Sequence, residues 1–219
     1  MSVMFDEALA AKVRGVGVVA VLVIDDVEDA VPLAEALMEG GVAVMELTLR
    51  TPAAVGALKV IRERVPEMVV GAGTVLSEDQ VLEVADAGAS FAVSPGLNRK
   101  VMAAARREGL NFAPGIMTPT DIEAAVGEGC RLLKFFPAGS SGGLVHLKNI
   151  AAPYAHLGLE YIPLGGVNAG NMGEYLGFSS VAAIGGSWIA KREAIAAKDW
   201  SGIAERAREA VGIAAGARA

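Results

Sequence analysis

Residues 17–50, GVVAVLVIDDVEDAVPLAEALMEGGVAVMELTLR, contain one complete copy of the pattern that decides the fold. The outer segments, 17–24 and 42–50, are short, apolar and rich in β-branched residues, as strands are. The segment between them opens with two aspartates and closes with two glycines, which is typical of a helix with its caps. A strand, a helix and a second strand in this order predict two parallel strands joined by a helical crossover.

The same pattern repeats to the end of the chain. Six further apolar runs follow, separated by helical segments: MVVGAGTV at 68–75, FAVSPGL at 91–97, NFAPGIM at 111–117, LLKFFPA at 132–138, YIPLGGV at 161–167 and VAAIGGSWI at 181–189. Eight units fill residues 1–219 without a linker, and eight parallel strands close a (β/α)₈ TIM barrel, so we predict one such domain. The alternative is an open doubly wound sheet. It would have a glycine-rich turn after its first strand, where this chain has IDDVEDA.

The composition excludes several classes of function. A net charge of −6 lacks the basic surface that nucleic-acid binding needs, and no apolar run reaches the ~18 residues of a membrane span. The first residues, MSVMFDEALAAKVRG, do not have the pattern of a secretion signal. Cys130 is the only cysteine and is predicted to be a small buried hydrophobe. We therefore expect a cytoplasmic protein with no nucleic-acid or membrane partner.

Polar residues occur at the carboxyl ends of the predicted strands, where barrel enzymes have their active sites. In the second run, Glu46, Thr48 and Arg50 alternate with apolar residues and therefore share one face. The apolar face has to pack on the helices, so the polar face is predicted to point into the barrel. A structural ion pair between Glu46 and a cation is the alternative interpretation.

Lys134 is the only one of seven lysines that lies within an apolar run. Burial, together with a nearby cation such as Arg50, would favour the neutral amine, which is the form that attacks a ketone carbonyl. The alternatives are a lysine that extends from the end of its strand to solvent or one that pairs with Glu46.

The seventh and eighth runs end in glycine pairs, Gly165-Gly166 and Gly185-Gly186, and Ser187 follows the second pair. In barrels the loops after the last two strands commonly bind phosphate through bare backbone N–H groups. Tight turns also use glycine pairs, which is the simpler explanation.

These motifs resemble, in order and over essentially the whole chain, those of the 2-keto-3-deoxy-6-phosphogluconate (KDPG) aldolases. The matching segments are ELTLRT at 46–51, GAGTV at 71–75, SPG at 94–96, KFFPA at 134–138, GGV at 165–167 and GGS at 185–187.

The resemblance implies a class I aldolase without a cofactor that cleaves 2-dehydro-3-deoxy-6-phosphogluconate to pyruvate and glyceraldehyde 3-phosphate, and that could also cleave 4-hydroxy-2-oxoglutarate. It implies the Schiff base on Lys134, proton transfer by Glu46 and a homotrimeric assembly. It further assigns the substrate carboxylate to Arg50 and Thr74, the pocket wall to Pro95 and Phe136, and the phosphate to Gly165, Gly166, Gly185, Gly186 and Ser187.

One position departs from the family pattern. Members acting on the gluconate usually carry threonine before the first glycine pair, whereas this chain has Leu164. Relatives that act on the galactonate epimer tend to have an apolar residue there. A 2-dehydro-3-deoxy-6-phosphogalactonate aldolase is therefore the alternative for the substrate.

Three other functions compete with the aldolase. A metal-dependent aldolase would need a cluster of ligands, and His146 and His156 both lie in the helical stretch after the sixth run, so no metal site is predicted. A phosphosugar isomerase or epimerase could use Glu46 and the glycine loops but needs no buried amine. A phosphate-binding protein without catalysis is the third alternative, because fold does not determine function.

Overall fold

The computed structural model describes residues 4–218 as alternating strands and helices. The strands are β1 (Val18–Leu22), β2 (Val44–Thr48), β3 (Val69–Gly73), β4 (Phe91–Val93), β5 (Phe112–Ala113), β6 (Gly115–Ile116), β7 (Leu132–Phe135), β8 (Glu160–Pro163) and β9 (Ile184–Gly186). The helices are α1 (Glu7–Val16), α2 (Ala30–Glu39), α3 (Ala54–Arg64), α4 (Glu78–Asp86), α5 (Arg99–Arg107), α6 (Pro119–Gly127), α7 (Gly143–Ala151), α8 (Met172–Leu176), α9 (Arg192–Ala196) and α10 (Trp200–Ala217).

The strands form a parallel α/β fold in two sheets. One sheet has the order β5-β4-β3-β2-β1-β9 and the other has the order β6-β7-β8, and every pairing is parallel. Only Pro114 separates β5 from β6, and a single parallel bridge joins Tyr161 of β8 to Val181, just before β9. Each of the eight predicted runs contains a strand, so the predicted parallel alternation is confirmed.

The fifth run is predicted to be one strand, but the structure divides it into two. Its two short strands lie on either side of Pro114, which has no N–H to donate to a neighbouring strand. Pro114 still accepts a hydrogen bond from the Lys134 backbone N–H through its carbonyl oxygen, at 2.9 Å. The break therefore divides one predicted strand between the two sheets. The predicted domain, 1–219, also includes residues 1–3 and 219, which lie outside the described part of the chain.

Alternation along β2 separates two apolar clusters. Met45 and Leu47 belong to the larger cluster, where the helices pack on the outside of the sheet. Val44 belongs to an inner cluster enclosed by the strands, and Glu46 and Thr48 are buried on that same inner face. The predicted faces of this strand are therefore correct.

Helix α1 closes the end of the inner cluster that lies opposite the carboxyl ends of the strands. Its side chain Val13 and the preceding Phe5 are buried against Val19 of β1 and Phe91 of β4. Asp6 caps the helix by accepting a hydrogen bond from the Leu9 N–H, and Gly17 ends it in a left-handed conformation. Apolar side chains therefore close the space enclosed by the strands at the end opposite their carboxyl ends.

Two predictions made from the composition concern Cys130 and membrane-spanning segments. Cys130 is buried, as predicted, and burial raises the pKa of its thiol to about 12, so the thiol stays protonated. Among the helices of residues 4–218, none combines the length and the apolar character that crossing a bilayer would require.

Candidate active site

Lys134 and Glu46 form an ion pair inside the strand assembly. The Nζ atom of Lys134 lies 3.0 Å from Oε1 and 3.3 Å from Oε2 of Glu46, and the two side chains are only 7% and 3% exposed. Lys134 comes from β7 and Glu46 from β2, each at an inward position of its strand. The sequence offered this pairing as an alternative to catalysis. At this contact distance the carboxylate can take a proton from the ammonium group and leave the neutral amine, so the pair can also generate a nucleophile.

The pair separates two environments. Beneath it lies the inner apolar cluster, with Val19, Phe91 and Val93 among its members. Above it opens a cleft of about 180 Å³ at the carboxyl ends of the strands, with room for a small organic acid. Lys134 is therefore shielded from solvent on the side of the apolar cluster and accessible to a small molecule on the side of the cleft. A reactive buried amine requires both.

The cleft brings together most of the residues that the sequence singled out. Its lining contains Glu46, Arg50, Thr74, Pro95, Lys134, Phe136, Gly165, Gly185 and Ser187, and also Val21, Thr48 and Leu164. Gly166 and Gly186 are the two predicted residues that do not line it. Lys134 Nζ lies 5.6 Å from the centre of the Phe136 ring, so this ring forms a wall beside the amine.

Thr48 connects the end of β2 to Arg50. Its hydroxyl donates a hydrogen bond to the Leu22 carbonyl at 2.8 Å and accepts one from Arg50 Nε at 3.2 Å. Arg50 is itself exposed at the mouth of the cleft. The sequence placed Thr48 on the inward face without assigning it to the site. Its period-2 spacing with Glu46 and Arg50 was the signal that could have included it.

Thr74 has a backbone conformation that is rare for its type. It follows β3 with a φ of 61°, in the left-handed region that β-branched residues strongly disfavour. Such conformations cost of order 1–3 kcal/mol and concentrate at functional sites. Thr74 is also part of the cleft lining. It lies beside the end of β2, where the Leu49 N–H donates a hydrogen bond to the Gly73 carbonyl at 2.9 Å.

The loop after β8 contains both glycines of the first pair in left-handed conformations. Gly165 has a φ of 87° and Gly166 one of 81°, values that L side chains rarely adopt. The Gly165 carbonyl accepts a hydrogen bond from the Gly139 N–H at 2.7 Å, and the Gly166 carbonyl accepts one from Asn171 Nδ2 at 3.0 Å. Gly165 lines the cleft. Gly166 is exposed and does not line the cleft, and its hydrogen bond with Asn171 connects it to the start of α8.

The second glycine pair is covered by two large side chains. A Cβ on Gly185 would overlap the Leu164 side chain, and a Cβ on Gly186 would overlap the indole ring of Trp188. Gly186 is therefore needed for the close approach of Trp188 and presents no surface to the cleft. Ser187 is exposed and lines the cleft.

Neither histidine lies in the cleft lining. His146 is in α7, where Nε2 is 2.9 Å from the Met117 carbonyl oxygen and the ring stacks on Phe135. His156 is in the 3₁₀ turn Ala152–Leu157. Across residues 4–218, no group of three or more His, Cys, Asp or Glu side chains is arranged to hold a metal ion.

Comparison with known proteins extends these observations over most of the chain. A family model described as "KDPG and KHG aldolase" matches residues 9–206. The KHG/KDPG aldolase of Escherichia coli K12 is 44% identical over 194 residues, which are 89% of this chain and 90% of that protein. The 2-dehydro-3-deoxy-phosphogluconate aldolase of Pseudoalteromonas atlantica is 44% identical over 199 residues, 91% of this chain and 92% of that one.

A solved structure agrees with the sequence comparison. The KDPG aldolase of Legionella pneumophila, with pyruvate captured at low pH as a covalent carbinolamine intermediate, is 40% identical. It superimposes with a TM-score of 0.88, covering 92% of this chain and 97% of its own. The fold, the buried lysine–glutamate pair and the extent of these matches lead to one conclusion: this chain belongs to the KDPG and KHG aldolase family.

Proposed function

We propose that this chain is a class I aldolase that cleaves 2-dehydro-3-deoxy-6-phosphogluconate to pyruvate and glyceraldehyde 3-phosphate. The observation that carries the proposal is the 3.0 Å contact between Lys134 Nζ and Glu46 Oε1 at the base of the cleft. It joins a nucleophile to a proton acceptor in one buried pair, which is the arrangement that covalent catalysis needs. A shorter substrate, 4-hydroxy-2-oxoglutarate, contains the same reacting atoms.

The first half of the reaction is the formation of the Schiff base. Lys134 gives a proton to Glu46, and the free amine adds to the C2 carbonyl to form a carbinolamine. Glu46 then returns the proton to the departing hydroxyl, and loss of water leaves a protonated imine. This cation is an electron acceptor at C2, which is what cleavage of the neighbouring bond requires.

The second half breaks the bond between C3 and C4. Glu46, again ionised, removes the proton of the C4 hydroxyl, directly or through water, while the bonding electrons move to C3 and form an enamine. The aldehyde product departs, and Glu46 donates its proton to C3. Water then hydrolyses the protonated imine, which releases pyruvate and restores the ammonium group of Lys134 beside the carboxylate of Glu46. One carboxyl group therefore serves as base and acid in turn.

The remaining cleft residues are proposed to hold the two ends of the substrate. Arg50 and Thr74 lie after β2 and β3 and are assigned to the carboxylate. Gly165 follows β8, Gly185 lies in β9 and Ser187 follows β9, and these three residues are assigned to the phosphate. Pro95 and Phe136 are assigned to the wall between the two ends. Gly166 and Gly186 are assigned an indirect role: they hold these loops through Asn171 and Trp188.

Trapping with borohydride tests the proposal. Incubation of the protein with pyruvate and sodium borohydride should give a stable reduced adduct, seen as a single pyruvyl mass increase on the peptide that contains Lys134. A phosphosugar isomerase, a metal-dependent aldolase and a simple binding protein would all remain unmodified. An unmodified protein that is folded and binds pyruvate would contradict the proposal.

The distal phosphate leads to a prediction for Ser187. Ser187→Asp places a negative charge at the exposed end of the proposed phosphate site, so we expect kcat/KM for the phosphorylated substrate to fall by ~10-fold or more. Cleavage of 4-hydroxy-2-oxoglutarate, which has no phosphate, should change little. Ser187→Asn is the matched control because it has the same shape without the charge. Equal losses on both substrates would show that Ser187 does not contact phosphate.

Leu164 leads to a prediction about the C4 epimers. Its side chain packs on Gly185 and lines the cleft without a hydroxyl, and apolar walls discriminate between hydroxyl configurations only weakly. We expect the wild type to cleave both the gluconate and the galactonate phosphates. Leu164→Thr should change the ratio of the two kcat/KM values by about tenfold, the scale of one hydrogen bond.

Leu164→Val is the control for that experiment, because valine has the shape of threonine and no hydroxyl. The epimer ratio should therefore stay near the wild-type value in Leu164→Val. If the wild type is strongly selective and neither substitution alters the ratio, Leu164 is a packing residue only.

The proposal extends to the barrel and its assembly. We infer that β1–β9 form one closed eight-stranded barrel domain, with β5 and β6 as a single strand interrupted at Pro114 and the Tyr161–Val181 bridge completing the ring.

We also propose a cytoplasmic homotrimer. Exposed apolar side chains such as Val145 (71%) and Leu76 (54%) support an assembly that covers them, and light scattering of the purified protein would measure its mass.

A further inference from the structure

Gly73 lies beside the carboxylate of Glu46. Gly73 ends β3 and pairs with Thr48 of β2, so its bare Cα lies beside the inward face that carries Glu46. A Cβ built on Gly73 would lie 2.6 Å from Cδ and 2.7 Å from Cγ of Glu46, and it would overlap Oε1. Real Cβ contacts are never this short, so the carboxylate occupies the space that any side chain at position 73 would need.

The overlapped oxygen is the one that contacts the amine. Oε1 of Glu46 accepts the shorter hydrogen bond from Lys134 Nζ, at 3.0 Å. The carboxylate is therefore held on two sides, by the ammonium group of one strand and by the backbone of another. A methyl group at position 73 would push Oε1 away from its place against Lys134.

We propose that Gly73 is a positioning residue for proton transfer, acting through the carboxylate of Glu46. This inference rests on the proposed function, because it assigns Gly73 to the geometry of that same acid–base group. Proton transfer needs donor and acceptor at hydrogen-bond distance, and a displacement of about 1 Å can cost ~10²-fold in rate. The absence of a side chain at position 73 is thus a requirement of the chemistry.

The structure separates this requirement from one of folding. The atoms that a Gly73 side chain would meet belong to the far end of a flexible side chain, which can rotate away. At Gly115, by contrast, a Cβ would meet the backbone of Pro95 and Gly96, which cannot move without displacing the chain. Gly73→Ala is therefore expected to fold and to lose activity.

Gly71→Ala provides a matched control on the same strand. Its Cβ would overlap the ring of Phe91 in the inner apolar cluster, so this variant also has to accommodate a buried methyl group. It should melt at a lower temperature while retaining most of its kcat. A purely structural role for Gly73 would make the two variants behave alike.

The experiment measures three quantities in the wild type, Gly73→Ala and Gly71→Ala: kcat and KM for cleavage, exchange of the pyruvate methyl protons in D₂O, and the melting temperature. We expect Gly73→Ala to lose ~10²-fold in kcat and in proton exchange, with little change in KM. Adding Gly73→Ala to Glu46→Gln should cause little further loss, because the two changes act on one group. An equal further loss in that background, or wild-type kcat in Gly73→Ala, would overturn the inference.

Failure of Gly73→Ala to fold is also informative. In a Glu46→Ala background the atoms that the new methyl group would meet are absent, so adding Gly73→Ala to Glu46→Ala should not lower the melting temperature further. A further drop in the melting temperature in that background would make Gly73 a structural residue, and the inference would be wrong. A wild-type protein that neither exchanges pyruvate protons nor forms a borohydride adduct would instead contradict the proposed function itself.

Discussion

Lys134→Ala is expected to abolish aldol cleavage and borohydride trapping together. Lys134 supplies the only amine in the described lining of the cleft, and no other residue there can form an imine with the C2 carbonyl. The expected loss of kcat is the full contribution of covalent catalysis, so activity should fall to background. Mass spectrometry after treatment with pyruvate and borohydride measures the trapping, and a coupled assay for pyruvate measures the cleavage.

The fold of this variant has to be checked separately. Removing Lys134 leaves the carboxylate of Glu46 buried without its partner, and breaking a buried pair in this way typically costs about 3–5 kcal/mol. Circular dichroism would show whether the variant keeps its secondary structure at the assay temperature. Lys59→Ala, a substitution at an exposed position of α3, is the control and should retain both activities. A pyruvyl adduct on Lys134→Ala would mean that a different lysine forms the Schiff base.

Glu46→Gln is expected to lower turnover by at least ~10²-fold, the usual scale for a lost acid–base group. Glutamine keeps the length of the side chain and can still accept a hydrogen bond from Lys134, but it cannot exchange protons. The steady-state kcat and the exchange of pyruvate methyl protons should therefore fall together, since both require a proton to move at C3. Binding of pyruvate, measured by calorimetry, should be affected much less.

A second carboxylate in the protein provides the control for this change. Glu160 lies on β8 and accepts a hydrogen bond at 2.7 Å from Arg14 of α1, outside the cleft lining. Glu160→Gln removes a charge from an ion pair as Glu46→Gln does, and it should leave kcat near the wild-type value. If Glu46→Gln also had near wild-type activity, Glu46 would have no part in proton transfer.

The sequence was sufficient to predict the strands and to single out Glu46 and Lys134. The alternation along β2 placed Glu46 on the inward face, and the apolar setting of Lys134 distinguished it from the other lysines. The sequence could not show that these two side chains meet, because 88 residues separate them and their distance depends on how the strands close. It suggested Arg50 as a nearby cation and pairing with Glu46 as the alternative, and the contact found for Lys134 is the one with Glu46.

The neighbours of the glycines are what the sequence could not predict. The two glycine pairs of the last two runs are assigned to phosphate, which stays a prediction, and the structure adds that Gly186 provides space for the ring of Trp188 and Gly73 provides space for a carboxylate. A glycine has no side chain whose chemistry could indicate its neighbour. What occupies the space beside it depends on residues elsewhere in the chain, so only the three-dimensional structure shows whether a glycine serves a ligand or another side chain.

In residues 4–218, the apolar seal formed by α1 closes the end of the strand assembly opposite the cleft. Phe5 and Val13 are 5% and 1% exposed, so this part of the chain leaves substrate and products no path through that end. Pyruvate, bound covalently at the base, would lie behind the aldehyde fragment. We therefore expect the products to leave in order. The phosphorylated aldehyde leaves first, and water enters afterwards to hydrolyse the imine and release pyruvate. Product-inhibition kinetics should accordingly show the two products acting on different enzyme forms.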